Sequence, residues 1–257
     1  MRDAGLEEAI RAVGGVGALA QKIGISQPSV SNWSRVPADR VISVEAVTGV
    51  ARDVLRPDLY ATQPSTMIDE VDAARAAEYG LLAVLLARAP DTDMLARLAR
   101  LRGDATPLGV AHAALAEAAA TTTVERAERE YFNLFIGIGR GELLPYGSYY
   151  LTGFLNERPL ARLREELARL GIERVQGNSE PEDHAAILCE IMSGLAGGKF
   201  ETPAGADRAL FEQHLAPWIG RFFADLERAD AAELYRRIGA VGRLFISIES
   251  EAFALPS

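Results

Sequence analysis

Apolar residues recur at three- and four-residue intervals along most of the chain, which is the spacing of an amphipathic α-helix. The longest series repeats apolar pairs every four positions and contains Pro217. We expect this proline to bend the helix, because it removes a backbone donor and crowds the preceding turn. The members of the series are Leu210, Phe211, His214, Leu215, Trp218, Ile219, Phe222, Phe223 and Leu226. No window alternates apolar and polar residues as a half-buried strand does, so the sequence predicts an all-α fold.

Charge divides the chain into two parts. Residues 1–63 contain seven basic and seven acidic residues, so the net charge of −9 lies in the remainder. A polar, proline-containing segment, ATQPST at residues 61–66, separates the two parts. We therefore predict a small domain over residues 1–62, a linker over 63–66 and a larger helical domain over 67–257.

The sequence shows neither a secretory signal nor a membrane span. The N-terminus lacks the apolar core of a signal peptide, and the longest apolar run, residues 81–87, is far shorter than the roughly 20 residues that a span needs. A single cysteine, Cys189, excludes a disulfide framework. We expect a soluble, cytoplasmic protein.

Residues 18–33, ALAQKIGISQPSVSNW, have the spacing of a helix-turn-helix. Gly24 allows the sharp turn, because a side chain there would be strained at positive φ, and Ser26 is placed to cap the second helix. The inward-facing residues are Leu19, Ala20, Ile23, Ile25, Val30 and Trp33. Residues 5–60 resemble the Cro-like antitoxin family, which implies that the second helix lies in the major groove of DNA.

The outward face of that second helix carries short polar side chains that can meet base edges. We predict that these residues read bases and that the flanking basic residues hold phosphates. The base-reading candidates are Gln27, Ser29, Ser31 and Asn32, and the phosphate candidates are Lys22, Arg35 and Arg40. The zero net charge of this part leaves a protein-docking or dimerisation module as an alternative, since DNA affinity depends largely on basic excess.

Four motifs follow one another in the larger part. The segment EYFNLFIGIGRGELLPYGSYY, residues 130–150, contains a glutamate-aromatic…Leu-Phe motif and a loop with glycine, proline and tyrosine. SEPEDHAAILCEIM, residues 179–192, contains Glu-Pro-x-Asp-His, and FEQHLAPW, residues 211–218, contains His-Leu…Trp. In this order they resemble the TorD/DmsD family, cytoplasmic chaperones for molybdenum oxidoreductases exported by the twin-arginine route. The resemblance covers residues 67–257.

The resemblance implies a site for the twin-arginine signal peptide or the catalytic subunit of a molybdoenzyme, with no cofactor of its own. We expect affinity to come from an apolar groove, since burying a large apolar side chain contributes about 1.5–3 kcal/mol and an exposed ion pair only about 0–1 kcal/mol. Acidic residues of the third motif would orient the arginines and speed capture. The candidate walls are Tyr131, Leu134, Phe135 and Tyr146, and the other candidates are Pro145, Ser148, Tyr150, Glu180, Pro181, Glu182, Asp183 and His184.

Two positions depart from the family pattern and bear on the choice of client. Many members have Gly-Pro-Gly where this chain has Gly-Ile-Gly at residues 137–139, and often glutamate where it has Gly147. Both departures lie in the loop. The version GRGELLPYGSYYLTGFL is most similar to the branch associated with formate dehydrogenases.

Purely structural roles also fit the same residues. Ser179 followed three residues later by Glu182 matches a capping box, so residues 180–183 can be no more than a helix start. Capping leaves His184 unexplained, and the resemblance favours Asp183 and His184 as functional residues. The apolar pair at 134–135 fits a helical core as well as a groove wall.

Enzymatic chemistry finds little support. The glycines at 137, 139 and 141 do not complete a dinucleotide fingerprint, because its sixth position is Glu142 and no strand precedes it. The three histidines lack metal-ligand spacing, and apolar neighbours indicate that Cys189 is a buried, inert thiol. We predict a chaperone fused to a DNA-binding domain. The alternative is a transcription regulator whose second domain senses client or ligand, and a homodimer is compatible with either.

Overall fold

A computed structural model of the chain describes residues 2–60, 69–174 and 179–255. The chain divides into two compact units, Met1–Met67 and Ile68–Ser257. The predicted linker, residues 63–66, lies outside the described residues. The described residues form helices and no strands, apart from one isolated bridge between Tyr146 and His184. The prediction of an all-α fold is confirmed.

In its described residues, 2–60, the N-terminal unit packs six short helices around a small apolar core. Gly24, at φ +72°, forms the predicted turn between the second and third helices, and the Ser26 hydroxyl accepts a hydrogen bond from the Ser29 amide at 3.4 Å. Leu19 and Val30 are fully buried, whereas Trp33 lies beyond the end of the third helix and is half-buried. The helices are α1 (Ala4–Ala12), α2 (Val16–Lys22), α3 (Gln27–Ser31), α4 (Val41–Thr48), α5 (Arg52–Leu55) and α6 (Pro57–Tyr60), with a 3₁₀ turn at Ala38–Arg40.

The C-terminal unit is a helical bundle of ten α-helices in its described part. Two π-helical turns, Phe132–Ile136 and Phe211–Leu215, follow the fourth and eighth of these helices. The first five helices are α7 (Glu70–Ala87), α8 (Thr92–Leu98), α9 (Pro107–Thr121), α10 (Val124–Tyr131) and α11 (Gly147–Thr152). The others are α12 (Arg158–Arg169), α13 (Ala185–Ala196), α14 (Ala206–Leu210), α15 (Ile219–Arg228) and α16 (Leu234–Ala254).

Helix α7 packs along α13, and α16 packs along α15 and α9. The long apolar series is buried as its period predicts, with His214 only partly covered. Pro217 does more than bend this series: the chain passes from α14 through a π-helical turn, and α15 begins only at Ile219. No described helix combines the length and the apolar character that crossing a membrane requires.

Two buried charges fix the long C-terminal helix. The Glu130 carboxylate accepts hydrogen bonds from the backbone amides of Glu233, Leu234 and Tyr235 at 2.7, 3.1 and 2.6 Å, which satisfies the first turn of α16. Arg75 on α7 donates to Glu249 on α16 at 2.8 Å. The glutamate of the second unit's first motif is therefore part of the scaffold.

Candidate functional site

A groove of about 570 Å³ lies between α7 and the N-terminal part of α13. We name it the α7/α13 groove. Three of the residues predicted from the motifs line it: Tyr131, Glu180 and His184. The remaining lining residues are Gly80, Ala83, Val84, Ala87, Arg88, Ala186, Ile187, Glu190, Ser193 and Lys199.

Backbone hydrogen bonds bring the second and third motifs together beside this groove. The Ala185 amide donates to the Pro145 carbonyl at 2.8 Å, and the Gly147 amide donates to the Asp183 carbonyl at 2.9 Å. These two bonds fix the start of α11 against the start of α13. The motifs, 35 residues apart in the case of Ser148 and Asp183, thus form one structural element.

His184 is the N-cap of α13. Its Nδ1 accepts a hydrogen bond from the Ala186 amide at 3.1 Å, and the helix begins at Ala185. The predicted capping box of Ser179 and Glu182 is therefore wrong, and so is the expectation that capping leaves His184 unexplained. The helix cannot begin earlier because the backbone groups of residues 183 and 185 are bonded to the 145–147 segment.

The His184 ring also lines the groove, where its surroundings disfavour the protonated form. Burial lowers the pKa of His184, against the opposing effect of the nearby Glu180 and Asp183 carboxylates. Because Nδ1 accepts a hydrogen bond, the neutral ring carries its proton on Nε2. The Tyr146 ring packs edge-on against it, with ring centroids 5.0 Å apart.

Tyr146 links this histidine to Glu180. The Tyr146 hydroxyl donates to Glu180 Oε1 at 2.5 Å. Burial and this hydrogen bond raise the pKa of the Tyr146 hydroxyl well above its usual value. Glu180 thereby presents a positioned carboxylate at the groove, which can accept hydrogen bonds from a guanidinium group.

Asp183 does not face the groove. It is 3% exposed, and its Oδ2 accepts a hydrogen bond from the Ser148 amide at 2.7 Å, so it holds the first turn of α11. Glu182 forms an ion pair with Arg164 at 2.8 Å and lies outside the groove. Of the acidic residues of this motif, only Glu180 lines the α7/α13 groove.

Tyr131 forms a wall of the groove, but its predicted partners Leu134 and Phe135 do not. The Tyr131 hydroxyl donates to the Ala87 carbonyl at 2.9 Å at the end of α7. Leu134 is fully buried, and Phe135 packs between Tyr131 and Tyr235 at centroid distances of 5.1 and 5.5 Å. Assigning these two residues to the groove wall is wrong, because the same helical period serves the core here.

The other motif residues are structural supports. Pro145 and Pro181 supply carbonyl acceptors to Ala185 and His184, at 2.8 and 3.1 Å, and neither proline lines the groove. Ser148 is fully buried. Tyr150 is 9% exposed and donates its hydroxyl to Asp225 at 3.1 Å. Pro145, Ser148, Tyr150 and Pro181 thus all lie outside the α7/α13 groove.

Sequence reasoning missed half of the groove. Its α7 wall, with Ala83 and Val84, lies about a hundred residues before the third motif and carries no motif of its own. Glu190 adds a second carboxylate, and the spacing of three residues from Ile187 could have placed it on the same helix face. Arg88 and Lys199 also line the groove, so its lining carries both positive and negative charges.

The predicted DNA-facing residues are exposed in the N-terminal unit. Gln27, Ser29 and Ser31 lie on α3, and Asn32 follows it directly. The Ser29 hydroxyl is 2.7 Å from that of Ser26. Of the flanking basic residues, Lys22 is exposed at the end of α2.

Two of the predicted phosphate contacts are engaged by acidic neighbours. Arg35 forms an exposed ion pair with Asp58 at 3.4 Å, and Arg40 pairs with Asp39 at 3.2 Å. Such exposed pairs contribute only about 0–1 kcal/mol, so both arginines can exchange a carboxylate for a phosphate.

No cluster of metal-ligating side chains is found in the described ranges. Cys189 is fully buried, and burial raises the pKa of its thiol to about 12, which suits an inert packing role.

Comparisons with known proteins agree with both resemblances. The family model for the nitrate reductase delta subunit matches residues 101–224, and the model for the bacterial toxin YdaS matches residues 6–64. A chaperone protein TorD from Vibrio cholerae is 32% identical over 126 residues, which cover 46% of this chain and 57% of that protein. A second one, from Aliivibrio fischeri, is 25% identical over 135 residues, covering 49% of this chain and 63% of that protein.

A solved structure, described as that of a redox enzyme maturation protein from Archaeoglobus fulgidus, is 22% identical. Its TM-score is 0.45, and the match covers 66% of this chain and 93% of that one. The chain spans less than two thirds of the length of the two TorD relatives. The sequence resemblances to the TorD family and to a Cro-like helix-turn-helix are confirmed. The C-terminal unit is therefore similar to the nitrate reductase delta subunit family, whose model matches residues 101–224, and to chaperone proteins named TorD.

Proposed function

We propose that the C-terminal unit is a cytoplasmic maturation chaperone that binds the twin-arginine signal peptide, or the catalytic subunit, of a molybdenum oxidoreductase. It would hold that client until cofactor insertion is complete, without catalysing a reaction itself. The observation that carries this proposal is the convergence of Tyr131, Glu180 and His184, from two separate motifs, on one groove. The names of the TorD relatives point to the same class of activity.

The groove has the chemistry for a basic peptide. Glu180 is oriented by Tyr146, and Glu190 is exposed and forms no ion pair with any described residue. A guanidinium group can donate two hydrogen bonds to one carboxylate, which fixes its direction as well as its charge. Arg88 and Lys199 repel basic residues placed near them, so the groove discriminates between positions along the peptide.

Titration calorimetry with the full-length protein tests this function. The probes are signal peptides of molybdoenzymes, formate dehydrogenases among them, and matched peptides in which both arginines are glutamines. We expect the arginine peptides to bind more tightly, and Glu190→Gln to weaken them while Glu117→Gln, an exposed glutamate on α9, leaves them unchanged. Equal affinity for the arginine and glutamine peptides would reject the proposal.

We further propose that the N-terminal unit binds DNA, which is supported by the exposed polar face of α3 and the flanking Lys22.

In the rival function the whole chain is a transcription regulator, and its C-terminal unit senses client or ligand. A gel shift with the DNA upstream of its own operon distinguishes the two. DNA binding that disappears when client peptide is added supports regulation, whereas binding unaffected by client supports independent domains. If Gln27→Ala and Asn32→Ala leave DNA binding and client binding intact, the unit is a dimerisation or docking module.

A further inference from the structure

Carboxylates hold most of the basic side chains of the N-terminal unit. The ion pairs are Arg35 and Arg56 with Asp58, Arg40 with Asp39, and Arg52 with Glu45. The remaining basic residues, Arg2, Arg11 and Lys22, form no ion pair with any residue of the described range 2–60. An unpaired basic residue can reach a phosphate without first giving up a carboxylate, so these three are the better candidates for phosphate contacts.

Arg2 differs from the other two because its guanidinium is anchored. Its Nη2 donates a hydrogen bond to the Ser31 carbonyl at 3.3 Å, at the C-terminal end of α3. The last carbonyls of a helix lack partners within the helix, and a positive charge is favourable beside them. The arginine is therefore attached to the same helix that carries the predicted base-reading residues.

The backbone beside Arg2 is fixed as well. The Asp3 amide donates to the Ser34 carbonyl at 2.7 Å, and Asp3 Oδ1 accepts a hydrogen bond from the Gly5 amide at 2.9 Å. These bonds tie the segment before α1 to the segment after α3. A guanidinium has five N–H donors and Arg2 uses one of them here, so the others remain for the oxygens of an anion.

Arg2 and Lys22 lie towards opposite ends of α3. Lys22 ends α2, and the turn leads from there to the start of α3 at Gln27, whereas Arg2 is bound at Ser31. Helix α3 has five residues, which makes it about 7.5 Å long. Two positive charges therefore flank the exposed polar face between them.

We propose that Arg2 is a phosphate-binding residue that, together with Lys22, fixes the direction of α3 on DNA. This rests on the DNA binding proposed above. Phosphate contacts set the register and orientation of a protein on the duplex, and base contacts supply specificity. One phosphate contact leaves the helix free to pivot about it, whereas two contacts at opposite ends of α3 fix the direction of its axis.

The test measures fluorescence anisotropy of two labelled duplexes titrated with the full chain. One duplex is the DNA upstream of the protein's own operon, and the other is a shuffled duplex of the same composition. Each titration is repeated between 50 and 200 mM salt. We expect Arg2→Gln to weaken both duplexes by the same factor and to reduce the salt slope by about one. The parent protein should then lose about 3.5-fold more affinity over this salt range than the variant.

Two further variants separate a phosphate contact from other roles of the side chain. Arg2→Lys keeps the charge, so we expect it to keep the salt slope. Arg52→Gln is the matched control: it removes the same charge from α5, which packs against α1, α4 and α6, and it should leave the slope unchanged. Thermal melting followed by circular dichroism confirms that each variant is folded.

DNA with single methylphosphonate linkages gives a readout that needs no protein variant. Each linkage removes the charge of one phosphate. We expect the parent protein to lose affinity at two or more separate positions, and Arg2→Gln to become insensitive at one of them. Sensitivity of the parent protein at a single position would overturn the proposal even where a substitution unfolds the chain.

The remaining outcomes separate this inference from the proposed DNA binding. An unchanged slope in Arg2→Gln means that the side chain only caps α3, and an equal fall in Arg52→Gln means that the slope reports net charge. A loss confined to the operon duplex means that Arg2 reads bases. Each of these results overturns the phosphate assignment while DNA binding stands. If the parent protein binds neither duplex, the proposed DNA binding fails and this inference fails with it.

Discussion

His184 combines two roles that one pair of substitutions can separate. Its Nδ1 caps α13, and its ring packs against Tyr146 at 5.0 Å. An N-cap contributes about 1 kcal/mol and an aromatic pair about 0.5–1.5 kcal/mol. His184→Ala removes both, so we expect a loss of about 2 kcal/mol in the free energy of unfolding. His184→Asn keeps a cap acceptor, so we expect a loss of only about 1 kcal/mol.

Urea unfolding followed by tryptophan fluorescence measures these differences. Of the two tryptophans in the chain, Trp218 is buried in the C-terminal unit, so a Trp33→Phe background makes the signal report that unit alone. Equal destabilisation by alanine and asparagine would refute the capping role. Peptide affinity gives the second readout: if the ring contacts the ligand, both variants bind weakly, whereas a histidine that only caps is rescued by asparagine.

The same cap predicts a pH dependence. Burial lowers the pKa of His184 below 6.5, so its contribution to stability is present above that pH and is lost as the pH falls through the folded-state pKa. Protonation of Nδ1 also removes the acceptor for the Ala186 amide. Below pH 6.5 the free energy of unfolding should therefore fall less steeply with decreasing pH in His184→Asn than in the parent protein. The same steepness in both proteins would contradict the assignment.

Three further outcomes follow from other parts of the fold. The Glu130→Gln substitution turns one carboxylate oxygen into an NH₂ donor that faces a backbone amide of α16. We expect it to lower the free energy of unfolding in urea by about 1–3 kcal/mol. The control Glu128→Gln, at an exposed position, should change this free energy by almost nothing. The hydrogen bond from His112 to Glu78 at 3.0 Å raises the pKa of His112, so this pair stabilises below pH 6.5 and is lost as the pH rises through the higher folded-state value. Thermal melts of His112→Gln should lack that decline. Lys22→Ala should reduce the salt slope of DNA binding by about one, as loss of one phosphate contact requires.

Helical period and capping chemistry were sufficient to predict the fold class and the helix-turn-helix. Gly24 and Ser26 act as their residue types suggest, because turns and caps depend on neighbouring backbone. The sequence pattern placed the start of α13 too early, because this start depends on contacts with residues that are distant in sequence. Its backbone groups are bonded to the 145–147 segment, and a contact so distant in sequence leaves no mark on a four-residue capping pattern.

The groove was only half predictable on similar grounds. Tyr131, Glu180 and His184 stand in motifs, whereas Ala83 and Val84 are small apolar residues in a helix that looks like any core helix. Leu134 was assigned to the groove wall but lies in the core. An apolar residue at helical spacing is equally suited to a groove wall or to the interior, and only the packing of the folded unit places Leu134 in the interior.

The motifs of the C-terminal unit are mostly a brace for the groove. Asp183 binds the Ser148 amide, the Pro145 carbonyl binds the Ala185 amide, and Tyr146 binds Glu180, so the two segments hold each other in place beside the groove. Substituting a buried brace residue would therefore weaken peptide binding without any contact to the peptide. Because loss of binding alone cannot identify a contact residue in such a site, the argument for Glu190 depends on its being an exposed side chain. Its removal leaves the brace intact, and a change in affinity there reports the contact itself.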